Sequence, residues 1–277
     1  MIQKLSLFIV LLCGVVSVGN AQVLDDDYDI EQQLLASTKQ LNQFFKRFNG
    51  EENNKGVEFE PGDRQYRNAR LRKRYLSMLF DEEYAQISKD LKTRFISDAT
   101  KSDSPQFLGL RSDEWFAVVN TTFEYEGREE AITLYMEMQQ EGLGYEWVIS
   151  KVSFGRYKQM FDKQRGETKE FLHPMSHELD FMNLRKALVK NGSPESYTLA
   201  DYEPDYLTLF IYEVKKGLLK FNTVNRIKFH FFSLDGWYFA LNNFNRAGYN
   251  TGWLISDLTA INKPQKEQLL KIIYDQN

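Results

Sequence analysis

Three histidines, one basic run and two strand side chains are the residues of this 277-residue chain whose types and spacing could do chemistry. His173 and His177 stand four apart in "HPMSHE", the spacing at which two imidazoles on one helical face hold zinc. Pro174 and the capping residue Ser176 fall between them, so His173 lies before the helix and His177 opens it. The pair therefore fixes a helix entry, and no metal is expected. His230, in "RIKFHFF", shares its parity with Arg226 and Lys228, while Ile227, Phe229 and Phe231 face the other way. That puts it on the more polar, partly exposed side of a strand, as a candidate pocket base.

The run "RQYRNARLRKR" at 64–74 carries six positive side chains. On a helix Arg67, Arg70 and Arg74 form one stripe, able to grip carboxylates, phosphates or sulfates. A solvated face paired with the acidic loop "GEENNKGVEFEPGD" explains the same run. Tyr135 and Glu137 share a polar parity with Thr133 and either line a pocket or face solvent. No nucleotide loop, nucleophile signature, zinc spacing or calcium loop is present, so no catalytic residue and no cofactor is assigned.

The elements that must position these residues come in two like series. Apolar residues at Leu34, Leu41, Phe45 and Phe48 describe a helix ending near Asn49-Gly50. Asp63 can cap a second helix over 64–80, with Leu71, Tyr75, Met78 and Leu79 inward, and a third spans 83–98. The period then drops to two: "EWFAVVNTTFEY", "AITLYMEMQ" and "YEWVISKVSF" read as an antiparallel meander. After a polar connector at 156–170 the order restarts, with helices at 176–190 and 204–217 and strands at 221–233, 236–245 and 250–261. A capped helix at 264–275 ends the chain.

Both meanders close on nearly the same phrase, Trp147-Val148-Ile149-Ser150-Lys151-Val152 and Trp253-Leu254-Ile255-Ser256-Asp257-Leu258. Repeated order and repeated wording indicate an internal duplication, with one unit at 30–155 and a second at 171–277. The expected fold class is α+β, helices on antiparallel sheet, twice.

Residues 1–21 read as a secretory signal peptide: Lys4, an apolar run from Leu5 to Val18, and cleavage after the small residue Ala21. Lipidation at Cys13 is disfavoured by the bulky Leu12 before it. The mature chain then has no cysteine, hence no disulfide, and is expected in the periplasm or outside the cell. A net charge of −4 gives no general attraction to nucleic acid, and no later apolar run is long enough for a membrane span.

"FFKRFN", "DEWFAVVNTTFEY", "FLHPMSHELDFMNLRKAL" and "NTGWLISDL" resemble secreted tandem proteins of gut Bacteroidetes with the nuclear transport factor 2-like, or cystatin-like, fold. The resemblance implies two cone-like domains, helices wrapped on a curved sheet, and an envelope setting. Some members of that superfamily are pocket isomerases, dehydratases or cyclases, and others only bind or assemble. The expectation is an exported non-catalytic binding protein for an envelope protein, a glycan or a small molecule. The alternative is a pocket enzyme in one domain.

Overall fold

The computed structural model describes residues 41–53, 55–111, 114–142, 144–161, 172–179, 181, 184, 185, 188, 194–199 and 201–275. The expected leader with Cys13 and Ala21, the part of the expected first helix before Leu41, and most of 162–193 therefore lie outside the described residues.

Among the described residues three helices come first: α1 (Leu41–Asn49), α2 (Ala69–Ser77) and α3 (Lys89–Ala99). Strands β1 (Trp115–Tyr125), β2 (Arg128–Glu141) and β3 (Gly144–Ser153) follow, then a short α4 (Gly155–Met160). Beyond the 3₁₀ turns Pro174–Leu179 and Pro194–Tyr197, among the described residues, come α5 (Tyr206–Lys215), β4 (Leu219–Leu234), β5 (Trp237–Phe244), β6 (Gly252–Ala260) and α6 (Lys263–Asp275). The strands fall where the period of two places them.

Helix α2 starts later than the 64–80 expected. Arg67 adopts a left-handed φ of 52°, which a helix does not tolerate, and Asn68 rather than Asp63 caps by accepting from the Arg70 and Leu71 amides. Its inward face is Arg72, Tyr75 and Leu76, with Leu79 buried just past its end, whereas Leu71 of the expected stripe is partly buried and Met78 exposed. Helix α3 is likewise delayed to Lys89, with Ser88 as cap, because the Asp81 carboxylate takes the amides of Glu83, Tyr84 and Ala85 into a turn. The expected helix at 176–190 opens as a 3₁₀ turn, and much of it lies outside the described residues.

The two meanders join into one six-stranded antiparallel sheet, ordered β3-β2-β1-β4-β5-β6, through β1 and β4. Register shifts in every strand pair but β1·β2 curve it. One row crosses all six strands: Ile149, Met136, Ala117, Phe229, Leu241, Ile255. About that row the two halves correspond. Trp147 lies on the β3 side, Trp253 on the β6 side, and both rings flank Phe229, at 5.9 and 4.7 Å.

The repeated phrase also has a common local geometry. β2 and β3 lose register between Tyr135 and Met136, making Ser150 an extra residue; β5 and β6 lose it between Ala240 and Leu241, making Ser256 one. The Ser150 hydroxyl donates to the Tyr135 carbonyl across the bulge at 3.3 Å, and the Ser256 hydroxyl shares its one proton between the Ala240 carbonyl across the bulge at 3.3 Å and the Asp257 carboxylate at 2.8 Å. A short polar side chain that satisfies a backbone group left by the bulge accounts for serine at this point.

The middle of the sheet is covered on both faces, while β4 is exposed over 220–226. On the inner face Trp115, Phe231 and Phe239 stack across three strands, with centroids 5.2 and 4.7 Å apart, beneath Phe44, Phe45 and Phe48 of α1. Because α1 touches strands of both meanders, they share one core. Buried Arg72 ties α2 to that core: its guanidinium donates to the carbonyls of Phe48 (2.7 Å), Ala99 (2.9 Å) and Gln106. On the outer face α6 lies across Phe116, Tyr135, Phe232 and Tyr238, with Ile273 buried against them.

Candidate functional site

The candidate site forms where α6 leaves the sheet. The β4–β5 turn, Leu234-Asp235-Gly236-Trp237, closes with Gly236 at φ 78°, and its Gly236 carbonyl accepts from the Ile261 amide at 2.9 Å. One residue later Asn262 caps α6: its side chain accepts from the Gln265 amide at 3.0 Å while the Gln265 side chain accepts from the Asn262 amide at 2.9 Å. The hairpin tip and the first two turns of α6 thus diverge from a common point. Between them is a cavity of about 480 Å³.

Its floor is apolar and buried, made by Phe232, Leu234 and Trp237, with Ile261 and Leu270 partly buried on the wall. Trp237 is turned so that its indole N–H meets Asp98 at 3.2 Å, which fixes the ring. Asp235, Lys263 and Glu267 stand exposed at the mouth; Lys266 also lines it, with its ammonium 2.7 Å from Glu114. None of these liners was singled out from sequence. The turn and the tail helix were both legible, but their approach to each other was not.

Tyr135, Glu137 and His230, the pocket candidates, do come to one region of the outer face, but under α6 rather than around the cavity. Tyr135 is fully buried and donates to the Ile273 carbonyl at 2.9 Å, while Glu137 accepts from Tyr274 at 3.0 Å. His230 is not partly exposed as its strand parity suggested: it is 5% exposed, stacked on Phe116 at 5.1 Å and 2.9 Å from the Tyr238 hydroxyl. His230 does share a face with Lys228, but the tail helix and aromatic side chains cover that face. Burial, then the charge of Lys228, push the imidazole down to about pKa 3 against the opposing pull of Asp257, so it is neutral at neutral pH. Burial also raises the Tyr238 hydroxyl, and burial with the nearby Glu137 raises that of Tyr274.

The basic run divides. Arg67 precedes α2 and pairs with Glu51 at 2.5 Å, its guanidinium 4.4 Å from the Phe107 ring centroid. Arg70 and Arg74 remain exposed, one turn apart on α2. The acidic loop thus pairs with the run once, through Glu51, while its Glu52 holds Arg47 at 3.0 Å and its Glu58 holds Lys46. Arg72, whose pKa burial and the neighbouring Arg67 lower to about 10, is a packing residue that the charge run concealed.

His173 accepts from the Met175 amide at 3.1 Å and His177 lies 2.7 Å from the Pro174 carbonyl, so both engage the entry of the 3₁₀ turn. Among the described residues no group of three or more His, Cys, Asp or Glu side chains is placed to hold a metal ion. Among the same residues no helix is long and apolar enough to cross a membrane. Comparison of the chain with protein-family models, curated proteins and solved structures gave no match.

Proposed function

We propose that this chain is an exported, non-catalytic binding protein that takes a small, largely apolar molecule into the cavity beside α6. The observation that carries this reading is the cavity itself. Its volume lies within the roughly 300 to 1,000 Å³ usual for small-molecule sites, and its buried lining is apolar. An isomerase, dehydratase or cyclase needs an acid or base held out of water beside its substrate. Asp235, Lys263 and Glu267 stand exposed at the rim, and neutral His230 belongs to the packed region under α6, which favours binding over catalysis.

Export rests on the leader: Lys4, the apolar run and Ala21. The corresponding tryptophans and serine bulges support a duplicated helix-and-meander unit of the nuclear transport factor 2-like kind. Intact mass of exported protein should give Gln22 as first residue, whereas an acylated Cys13 would place the protein at a membrane.

Fluorescence titration with the neutral apolar probe N-phenyl-1-naphthylamine tests the binding reading. One equivalent should bind, and Leu270→Trp should abolish binding by filling the wall while the protein still melts cooperatively. No binding to the wild type, or unchanged binding to the variant, would contradict it.

A further inference from the structure

The charges at the cavity mouth specify more than an apolar guest. Lys266 is already satisfied, its ammonium 2.7 Å from Glu114 and 3.3 Å from the Phe232 carbonyl oxygen, so a guest gains little from it. Asp235, Glu267 and Lys263 form no ion pair among the described residues. That leaves two carboxylates against one ammonium around an apolar floor. The start of α6 does not reverse this balance, although helix N-termini ordinarily attract anions. Pro264 has no N–H, the Gln265 amide is held by the Asn262 side chain, and the Lys266 amide by the Asn262 carbonyl at 2.8 Å. Of the first helical amides, only that of Lys263 remains to face an anion.

We infer that the cavity accepts an amphipathic amine, its apolar body lying on Phe232, Leu234 and Trp237 and its ammonium head between the carboxylates of Asp235 and Glu267. This rests on the binding reading above and adds the sign of the head group. An apolar wall behind exposed carboxylates concentrates their field at the mouth, so the head is held there while the chain leaves water.

The test is displacement of N-phenyl-1-naphthylamine at pH 7 by octylamine, octanol and octanoate, which share a chain and differ in charge. Octylamine should displace the probe roughly tenfold more effectively than octanoate, with octanol between them, the size expected of two exposed charge contacts. Asp235→Asn combined with Glu267→Gln should erase that order without weakening octanol, 0.5 M salt should compress it, and Lys263→Met should widen it. Equal displacement by all three, or a preference for octanoate, would overturn the head-group inference while leaving an apolar cavity in place. If the probe itself does not bind, the cavity reading fails and this inference with it.

Discussion

β3 and β6 carry the same phrase, make the same bulge at serine and send a tryptophan to the same inner-face phenylalanine, yet they are set in different surroundings. After the bulge β3 has Lys151, which reaches over the outer face to the Tyr274 carbonyl at 2.9 Å and so holds the end of α6. At the corresponding place β6 has Asp257, paired with Lys228 at 3.0 Å and accepting from Ser256 at 2.8 Å. On its outer edge β6 is also gripped by the chain between α2 and α3: the Ile255 amide donates to Leu79 and the Asp81 amide to Ile255. Trp147 remains 38% exposed, while Trp253 is partly buried. Two strands of like wording thus share a backbone device and differ in their contacts. One copy secures the tail helix and the other secures the N-terminal helices.

The largest expected effect comes from cutting the second attachment. Asp81 is fully buried and accepts from Arg246 at 2.6 Å as well as from three backbone amides. Burial on its own would raise this carboxyl, but those hydrogen bonds outweigh it and hold the pKa below the ordinary value. Asp81→Ala should cost about 3 to 5 kcal/mol in urea unfolding, because it leaves the Arg246 guanidinium only the more distant, exposed Glu83 carboxylate at 3.4 Å and strips three turn amides of their acceptor. A depressed carboxyl stabilises above the unfolded pKa, near 4, so this contribution should fade only as pH falls below that value. A cost under about 1 kcal/mol would show that β6 is not anchored in this way.

Next in size is a pH effect confined to one half. Corresponding rows place Val118 where the second half has His230, so only the second half titrates here. A histidine whose folded pKa lies below its unfolded value contributes stability that is full above about pH 6.5 and declines as pH falls toward the folded value. Between pH 6.5 and 4.5 the wild type should lose about 2 to 3 kcal/mol, and His230→Gln should remove most of that slope. An unchanged slope in the variant would mean that His230 is protonated in the folded protein.

Effects of comparable size should separate the two phrases themselves. Trp253→Ala should cost about 3 kcal/mol and the more exposed Trp147→Ala about 1 to 2 kcal/mol in urea unfolding. The reverse order would break the asymmetry. Smallest is the bulge: Ser150→Ala and Ser256→Ala should each cost about 0.5 to 1.5 kcal/mol. Ser256 should cost more, since it also accepts from Asn242 at 3.0 Å and meets Asp257.

The strands were legible because alternation in stretches such as "EWFAVVNTTFEY" is a local signal, and the shared phrase marked its two strands as counterparts. Three things were not legible, each for a physical reason. The pairing of β1 with β4 joins residues about a hundred positions apart, and alternation carries no information on which strand lies alongside. The covering of His230 depends on where a tail helix folds back, not on the strand that bears it. Arg72 looks like its neighbours in a charge run, and only the convergence of three carbonyls on it makes it a core residue. The cavity combines the last two difficulties, since Leu234, Trp237 and Leu270 are ordinary apolar positions until the hairpin and helix meet.

The most direct test is an amide chemical-shift map of residues 22–277 titrated with N-phenyl-1-naphthylamine. Shifts should concentrate at 234–237 and 261–270 and leave the amides of Arg70, Arg74, Tyr135 and His230 in place. Shifts centred on α2, or on the packed region around His230, would contradict the assignment of the cavity as the binding site.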